Sequence, residues 1–405
     1  MFRAGWEMDK KQIPVGQLRQ GMYVVALDRP WLGTPFLFQG FSITDDEQIE
    51  ALKKLCQHVI VDLERDGRPA TPVRRAPAFS TGRRVEYSDT TSFEQELVVA
   101  KEIYTVFVKT VESCLAVLQS TGEIDVAPLA GAVGSMNESI KRNPNAMMLL
   151  IRIQEKGSYE INRAVDTSVL MITFGRFLQY PPERLELLGL AGLLLDVGKV
   201  RVPDGVLRKP GLLDPAEYDL AKGHVMHSVD LLRKCSGLPA GLEAIVLQHH
   251  ERQDGGGYPL KLHGEDISID GAMAGLVDSF SALTSARPYA EQLSPSNALG
   301  QLYKLRGKLF HGALTEQFIQ CIGIYPVGSV VELNTGEIGI VIAQNLVRRL
   351  QPRVMVVLDR DWKPLPTQLV LDLMKEPRAT SNEPYRIRRT LPKDKLPLDP
   401  RDFFL

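Results

Sequence analysis

The sequence predicts a multidomain, mainly α-helical protein: one large all-helical domain flanked by a small N-terminal α/β module and a small C-terminal β module. Three observations carry that reading. Apolar residues recur at helical spacing from residue 92 to about 323, with almost no strand signal between. Before residue 66 and after residue 324 the pattern changes to short apolar runs separated by turns. At 405 residues the chain is also long enough for more than one core.

In residues 1–66, the stretches around Tyr23-Val24-Val25 and Val59-Ile60-Val61 read as strands. Between them TDDEQIEALKKLC reads as a helix, with Thr44 as N-cap and acids in the first turn. Residues 67–90 are rich in Pro, Arg, Ser and Thr without an apolar period, which predicts a solvated linker. The helical domain, 91–323, opens at Ser92-Phe-Glu-Gln95, which has capping-box spacing. Helical patterns then run to Leu118 and through 125–154, 159–178, 182–195, 214–235, 239–250, 270–286 and 295–323. Within 324–372, GSVVELNTGEIGIVIAQN reads as two strands around a turn and RVMVVLDRD as a third. Residues 373–405 are charged and proline-rich, which predicts a C-terminal tail that wraps the surface or stays mobile.

The formal net charge of −1 gives no global attraction to nucleic acid or to an anionic membrane. No apolar run reaches the length of a membrane span, and the first residues lack a secretory core. Cys56, Cys114, Cys235 and Cys321 are scattered without CxxC spacing, so neither a disulfide framework nor a cysteine zinc site is expected. A reducing, cytoplasmic setting follows.

The chemistry-bearing residues cluster in the helical domain. Of seven histidines, His224, His227, His249 and His250 fall in one short interval, and Asp196 and Asp278 each interrupt an apolar run. A carboxylate in such a run is costly to bury unless it is paired or metal-bound. Taken singly, each is more often a cap, an ion pair or a satisfied histidine; together they point to a metal site of imidazoles and carboxylates, suited to Fe, Mn, Zn or Ni. Adjacent histidines on a helix point about 100° apart, so His249 and His250 reach one ion only at a helix end. His58, His263 and His311 read as surface residues.

The stretch His249 to Ile267, HHERQDGGGYPLKLHGEDI, closely resembles the signature of the HD-GYP family, bacterial hydrolases of the second messenger cyclic di-GMP within the wider HD phosphohydrolases. LDVGKVRVPDGVLRKPGLL, GHVMHSVDLL and LVDSFSALTSARPY resemble its other segments in the right order, over about residues 155–325. The resemblance implies that Asp196 bridges two ions, that His224, His249 and His250 complete one of them, and that Asp278 belongs to the other. It implies that Lys199 and Arg287 hold phosphates of the substrate, with Asp196 and Lys199 at the reacting centre, and that Gly256, Gly257, Tyr258 and Pro259 lie against the nucleotide. From the residues themselves, Gly255, Gly256 and Gly257 allow unusual backbone angles and close approach, and Pro259 stiffens the exit.

Two expected ligands are missing. The histidine of the HD pair falls on Leu195, and the histidine that begins the first helix falls on Arg163; neither side chain offers a lone pair. Further acids of the family fall on Tyr159 and Ser281. The expectation is one divalent ion, with the second site lost and Arg163 pairing Asp278 or Asp196 in its place. The reading that follows is a degenerate HD-GYP protein in cyclic di-GMP signalling, binding or scaffolding with weak or no hydrolysis. Its expected partners are cyclic di-GMP and, through the loop, diguanylate cyclases of the GGDEF type. The alternatives are an active phosphodiesterase that recruits Glu251, His227 or Tyr159 to the depleted half-site, and a helical scaffold that binds no nucleotide.

Overall fold

The structure is a computed structural model that describes residues 10–29, 41–43, 46–62, 83–153, 158–285, 292–345, 348–380, 383–391 and 404. The chain divides into two units, 1–78 and 79–405.

In the first unit, strands β1 (Lys10–Pro14), β2 (Tyr23–Leu27), β3 (Phe41–Ser42) and β4 (His58–Asp62) form an antiparallel sheet in the order β1-β4-β2-β3. Helix α1 (Asp46–Leu55) lays Ile49 and Leu52 on a core with Ile13, Val24, Val59 and Val61. The expected helix and both strands are present; Thr44 lies outside the described residues. Strand β1, KKQIP, escapes a sequence reading because Ile13 is its one core residue. Backbone pairing, rather than an apolar period, makes it a strand.

The second unit opens with α2 (Phe93–Thr121). The Ser92 side chain accepts from Gln95 N while Gln95 returns a bond to Ser92 N, so the expected capping box forms. Three expected runs are each split in two. The run 125–154 becomes α3 (Ala127–Arg142) and α4 (Pro144–Ile153), because Asn143, before Pro144, is extended at φ −160°. After α5 (Tyr159–Phe177), α6 (Pro182–Leu194) and the short α7 (Asp204–Leu207), the run 214–235 divides at Gly223 into α8 (Pro215–Lys222) and α9 (His224–Leu232). Then follow α10 (Leu242–Gln248) and α11 (Ile269–Thr284). The run 295–323 becomes α12 (Pro295–Leu305) and α13 (Gly312–Ile322). His311, expected as a bare surface residue, caps α13: its Nδ1 accepts from Leu314 N at 3.2 Å.

Close backbone approach sets the spacing of α5 and α6. A Cβ on Gly192 would stand 2.8 Å from Ser168 Cα, and Ser168 Oγ donates to Gly189 O at 2.7 Å. A Cβ on Gly175 would meet Leu185 and Leu188, and one on Gly189 would meet Ile172, across the same contact.

Strands β5 (Val330–Leu333), β6 (Ile338–Ala343), β7 (Arg353–Leu358), β8 (Pro364–Asp372) and β9 (Ile387–Leu391) form an antiparallel sheet in the order β8-β7-β6-β5-β9. Gln344 N donates to Asn145 Oδ1 at 3.1 Å and ties this sheet to α4. Two sequence expectations change. The segment 373–405, expected as a tail, supplies β9, which pairs with β5 and is pinned by Arg388 and Arg389 on the buried Glu332, at 2.9 and 2.7 Å. Ion pairing and backbone bonds place this strand, not hydrophobic alternation. Of the expected linker 67–90, residues 83–90 lie on the helices: Val85 N donates to Gln179 O, Tyr87 Oη to Tyr180 O, and Arg176 pairs with Asp89. Residues 67–82 lie outside the described residues. No described helix is long and apolar enough to cross a membrane.

Candidate metal centre and its loop

Asp196 follows the last turn of α6 and opens a 3-10 turn over Val197–Arg201. The turn is clamped to α9 by Ser228, whose Oγ donates to Leu195 O at 3.0 Å and accepts from Gly198 N at 2.8 Å. A Cβ on Gly198 would stand 2.8 Å from His227 C, so only glycine lets the turn lie this close. Asp196 is thereby held over the first turn of α9, which carries His224. His249 and His250 stand immediately after α10, as their adjacency requires. Ligand atoms of Asp196, His224, His249 and His250 all lie within 4.8 Å of one another.

The hydrogen bonds fix how these groups present themselves. His224 Nδ1 faces Ala221 O and His249 Nδ1 faces Val246 O, each at 2.6 Å. A carbonyl can only accept, so both Nδ1 atoms carry hydrogen and, in the neutral rings, both Nε2 atoms are left with lone pairs. Those two Nε2 atoms and Asp196 Oδ1 are buried without a hydrogen-bond partner. Yet His224 Nε2 lies 3.2 Å from Asp196 Oδ1, and His249 Nε2 4.0 Å. Acceptors facing one another at that range call for a cation between them. A proton suits His249 poorly, since burial lowers its pKa to about 4, although Asp278 and Asp196 oppose this. Burial also holds His250 well below the usual histidine value, helped by His249 and His224. The residues present therefore fit a metal ion, with one aspartate and three imidazoles to hold it.

Asp278 does not join this group. It sits on α11, and its carboxylate accepts from the guanidinium of Arg163 on α5. The same guanidinium nitrogen lies 3.6 Å from Asp196 Oδ2, and Lys199 Nζ lies 2.7 Å from that oxygen. Burial works against the charge of Arg163, but Asp278 and then Asp196 outweigh it and raise its pKa above the ordinary arginine value. Burial likewise opposes the charge of Asp196, and Lys199 and then Arg163 overcome it, holding its pKa well below the carboxylate range. The two oxygens of Asp196 thus have separate surroundings: Oδ1 faces imidazoles and Oδ2 faces cations.

Leu195 is 2% exposed and contributes only its carbonyl to the site. Ser281 is fully buried and its hydroxyl has no hydrogen-bond partner. Tyr159 adds to the rise in the pKa of Arg163, after Asp278 and Asp196. Arg287 lies outside the described residues.

The loop after the histidines is bound tightly to them. Tyr258 N donates to His250 O at 3.2 Å, and the Tyr258 ring stacks on the His250 ring at 4.7 Å between centroids. The Tyr258–Pro259 peptide is cis. The three glycines do different jobs. Gly255 has φ +76°, whereas a Cβ on Gly257 would stand 2.5 Å from Glu251 Cα and 2.6 Å from His250 O. Gly256 meets only the Asp254 carboxylate, which accepts from its N–H at 3.0 Å. Glu251 is 4% exposed and spends both oxygens on the loop, accepting from Leu260 N at 2.6 Å and Leu262 N at 2.9 Å. It is therefore not available to a depleted ion site, as the alternative reading had it. Arg252 NH1 donates to His249 O at 3.0 Å and Glu251 O at 2.8 Å. Sequence reasoning missed Ser228 and the loop-binding role of Glu251. An acid directly after the ligand pair was a signal for the second; nothing local marks the first.

Comparison with known proteins follows the same outline. Residues 146–314 match the profile of the HD domain, residues 10–129 a domain of unknown function, and residues 330–380 the KOW domain associated with HD domain. The chain is 32% identical over 368 residues to a cyclic di-GMP phosphodiesterase of Pseudomonas aeruginosa, covering 89% of this chain and 88% of that protein. It is 38% identical over 132 residues to a cyclic di-GMP phosphodiesterase of Thermotoga maritima, covering 32% and 36% of the two chains. It is 40% identical over 129 residues to a cyclic di-GMP phosphodiesterase response regulator of Xanthomonas campestris pv. campestris, covering 32% and 34%.

Proposed function

The chain belongs to the HD-GYP type of HD-domain proteins, and on that premise we propose that it works in cyclic di-GMP signalling as a one-ion binding protein with weak or no hydrolysis. The observation that carries the reading is the divided environment of Asp196: Oδ1 faces His224 and His249, while Oδ2 is taken by Lys199 at 2.7 Å and approached by Arg163 at 3.6 Å. An aspartate that bridged two ions with one oxygen on each would need both oxygens free.

When bound, a divalent ion at Asp196, His224, His249 and His250 supplies Lewis-acid attraction for a phosphate oxygen. The chain's own residues supply the rest. Lys199 holds a positive charge beside the ion site, and Arg163 neutralises two carboxylates that would otherwise repel a phosphate. Tyr258, stacked on His250, offers its phenol ring and the loop backbone to the nucleotide. The loop tip at Leu260, 53% exposed, is the face on which a diguanylate cyclase would be met.

The relatives favour a second reading. The three named above are cyclic di-GMP phosphodiesterases, so an active phosphodiesterase working from one ion is the competing function. Incubation of the purified chain with cyclic di-GMP and Mn or Fe separates the two, with calorimetry for binding and chromatography for linear product. The proposal expects binding with slow or undetectable turnover. Rapid, chelator-sensitive formation of pGpG or GMP would establish the competing function instead.

A further inference from the structure

Glu251 is a buried carboxylate with no cation within ion-pair distance among the described residues. Burying such a charge is costly unless hydrogen bonds satisfy it. Its two oxygens receive two backbone N–H groups, both from the far limb of the loop: Leu260 N on Oε1 and Leu262 N on Oε2. The near limb is fixed by other means, through Tyr258 N on His250 O and the tight seat of Gly257 against Glu251 Cα. The residue directly after two metal-ligand candidates thus grips the exit of the loop that faces the nucleotide.

We propose that Glu251 is a positioning residue: it sets the register of the loop, and so of Tyr258, against the His249–His250 turn. It acts on nucleotide affinity and not on the number of ions held. This deepens the functional reading above and rests on it for the identity of the nucleotide. Both oxygens of Glu251 accept from the loop, and it is not among the four residues whose ligand atoms lie within 4.8 Å of one another. A glutamine retains one acceptor oxygen and so keeps one of the two loop bonds, whereas alanine keeps neither.

The test uses the full chain and its Glu251→Gln and Glu251→Ala variants. Three readouts are taken: Mn bound per chain, cyclic di-GMP affinity of the Mn-loaded protein by calorimetry, and hydrogen exchange at the Leu260 and Leu262 amides. The expected result is an unchanged Mn count in all three proteins. Exchange accelerates at both amides in Glu251→Ala and at one in Glu251→Gln. Affinity falls at least about tenfold in the alanine variant and less in the glutamine variant, a tenfold step being about 1.4 kcal/mol. Loss of Mn from Glu251→Ala with retained far-UV circular dichroism would overturn the assignment. So would wild-type exchange, or wild-type affinity, in the alanine variant. If the wild type binds no cyclic di-GMP in any condition, the functional reading fails, while the Mn count and the exchange pattern still decide whether Glu251 holds the loop.

Discussion

Arg163 on α5 and Asp278 on α11, 115 residues apart in the chain, form a buried ion pair beside the candidate metal centre. A permanent cation there does for the two aspartates what a metal ion would do electrostatically, without offering a ligand site of its own.

Removing that cation leaves Asp278 buried and unpaired. Arg163→Ala is expected to destabilise the helical unit by about 3–5 kcal/mol, the range found when one partner of a buried pair is lost. Thermal unfolding of wild type and variant checks the sign and size. A melting temperature unchanged by the substitution would mean that the pair carries no weight.

Metal stoichiometry follows from the same geometry. The wild type is expected to hold about one Mn or Fe per chain, and His224→Ala or His249→Ala to hold none, as read by elemental analysis after gel filtration. Two ions in the wild type would contradict the division of Asp196 between imidazoles and cations.

Restoring both histidines should restore the second ion. The double variant Arg163→His with Leu195→His is expected to bind two ions. It should form linear product at least about a hundredfold faster than wild type, equivalent to about 2.7 kcal/mol of transition-state stabilisation. Leu195→His alone places an imidazole at a 2% exposed position while Arg163 still blocks the site, so it should lower stability without adding activity.

The loop glycines should differ in tolerance. Gly257→Ala presses a Cβ onto the backbone of Glu251 and His250, which neither can vacate, at a cost of about 1–3 kcal/mol. Gly255→Ala strains a φ of +76° by about 1–2 kcal/mol. Gly256→Ala meets only a movable Asp254 carboxylate and should be nearly neutral. Thermal melts of the three variants give the order.

Acid stability should depend on Glu96. This 1% exposed carboxylate is opposed by burial, but Arg142 and then Ser139 overcome it and lower its pKa from 4.5. Arg142 binds it through two nitrogens at 2.7 and 2.8 Å. A depressed folded pKa means the unfolded chain takes up the proton first. The stabilisation is therefore complete above pH 4.5 and is lost as pH falls below it. Glu96→Gln should be less stable near neutrality and show a flatter loss of stability in acid, measured by denaturant titration across pH 3–7.

Periodicity and composition by themselves settled the class of the fold, the long helical span, the capping box at Ser92 and the two small flanking modules. These are local properties, written in which residues recur every second or every third to fourth position. The resemblance around the glycine loop, together with the histidines and Asp196, also pointed to the residues that the fold brings together. Local patterning did not fix where helices break, because Pro144 and Gly223 act within runs whose apolar period continues across them. Nor did it find β9, which ion pairs to Glu332 hold in place.

Only the tertiary structure decided how the charged groups share the site. By local pattern Asp196 and Asp278 read alike, each an acid within an apolar run, and the sequence left open which of them Arg163 pairs. Packing of α5, α6 and α11 turned one toward the imidazoles and gave the other to Arg163. Glu251, an apparent spare ligand, became the anchor of Leu260 and Leu262. The reason is physical: the energy of a buried charge depends on the few ångströms around it. Those neighbours come from distant parts of the chain.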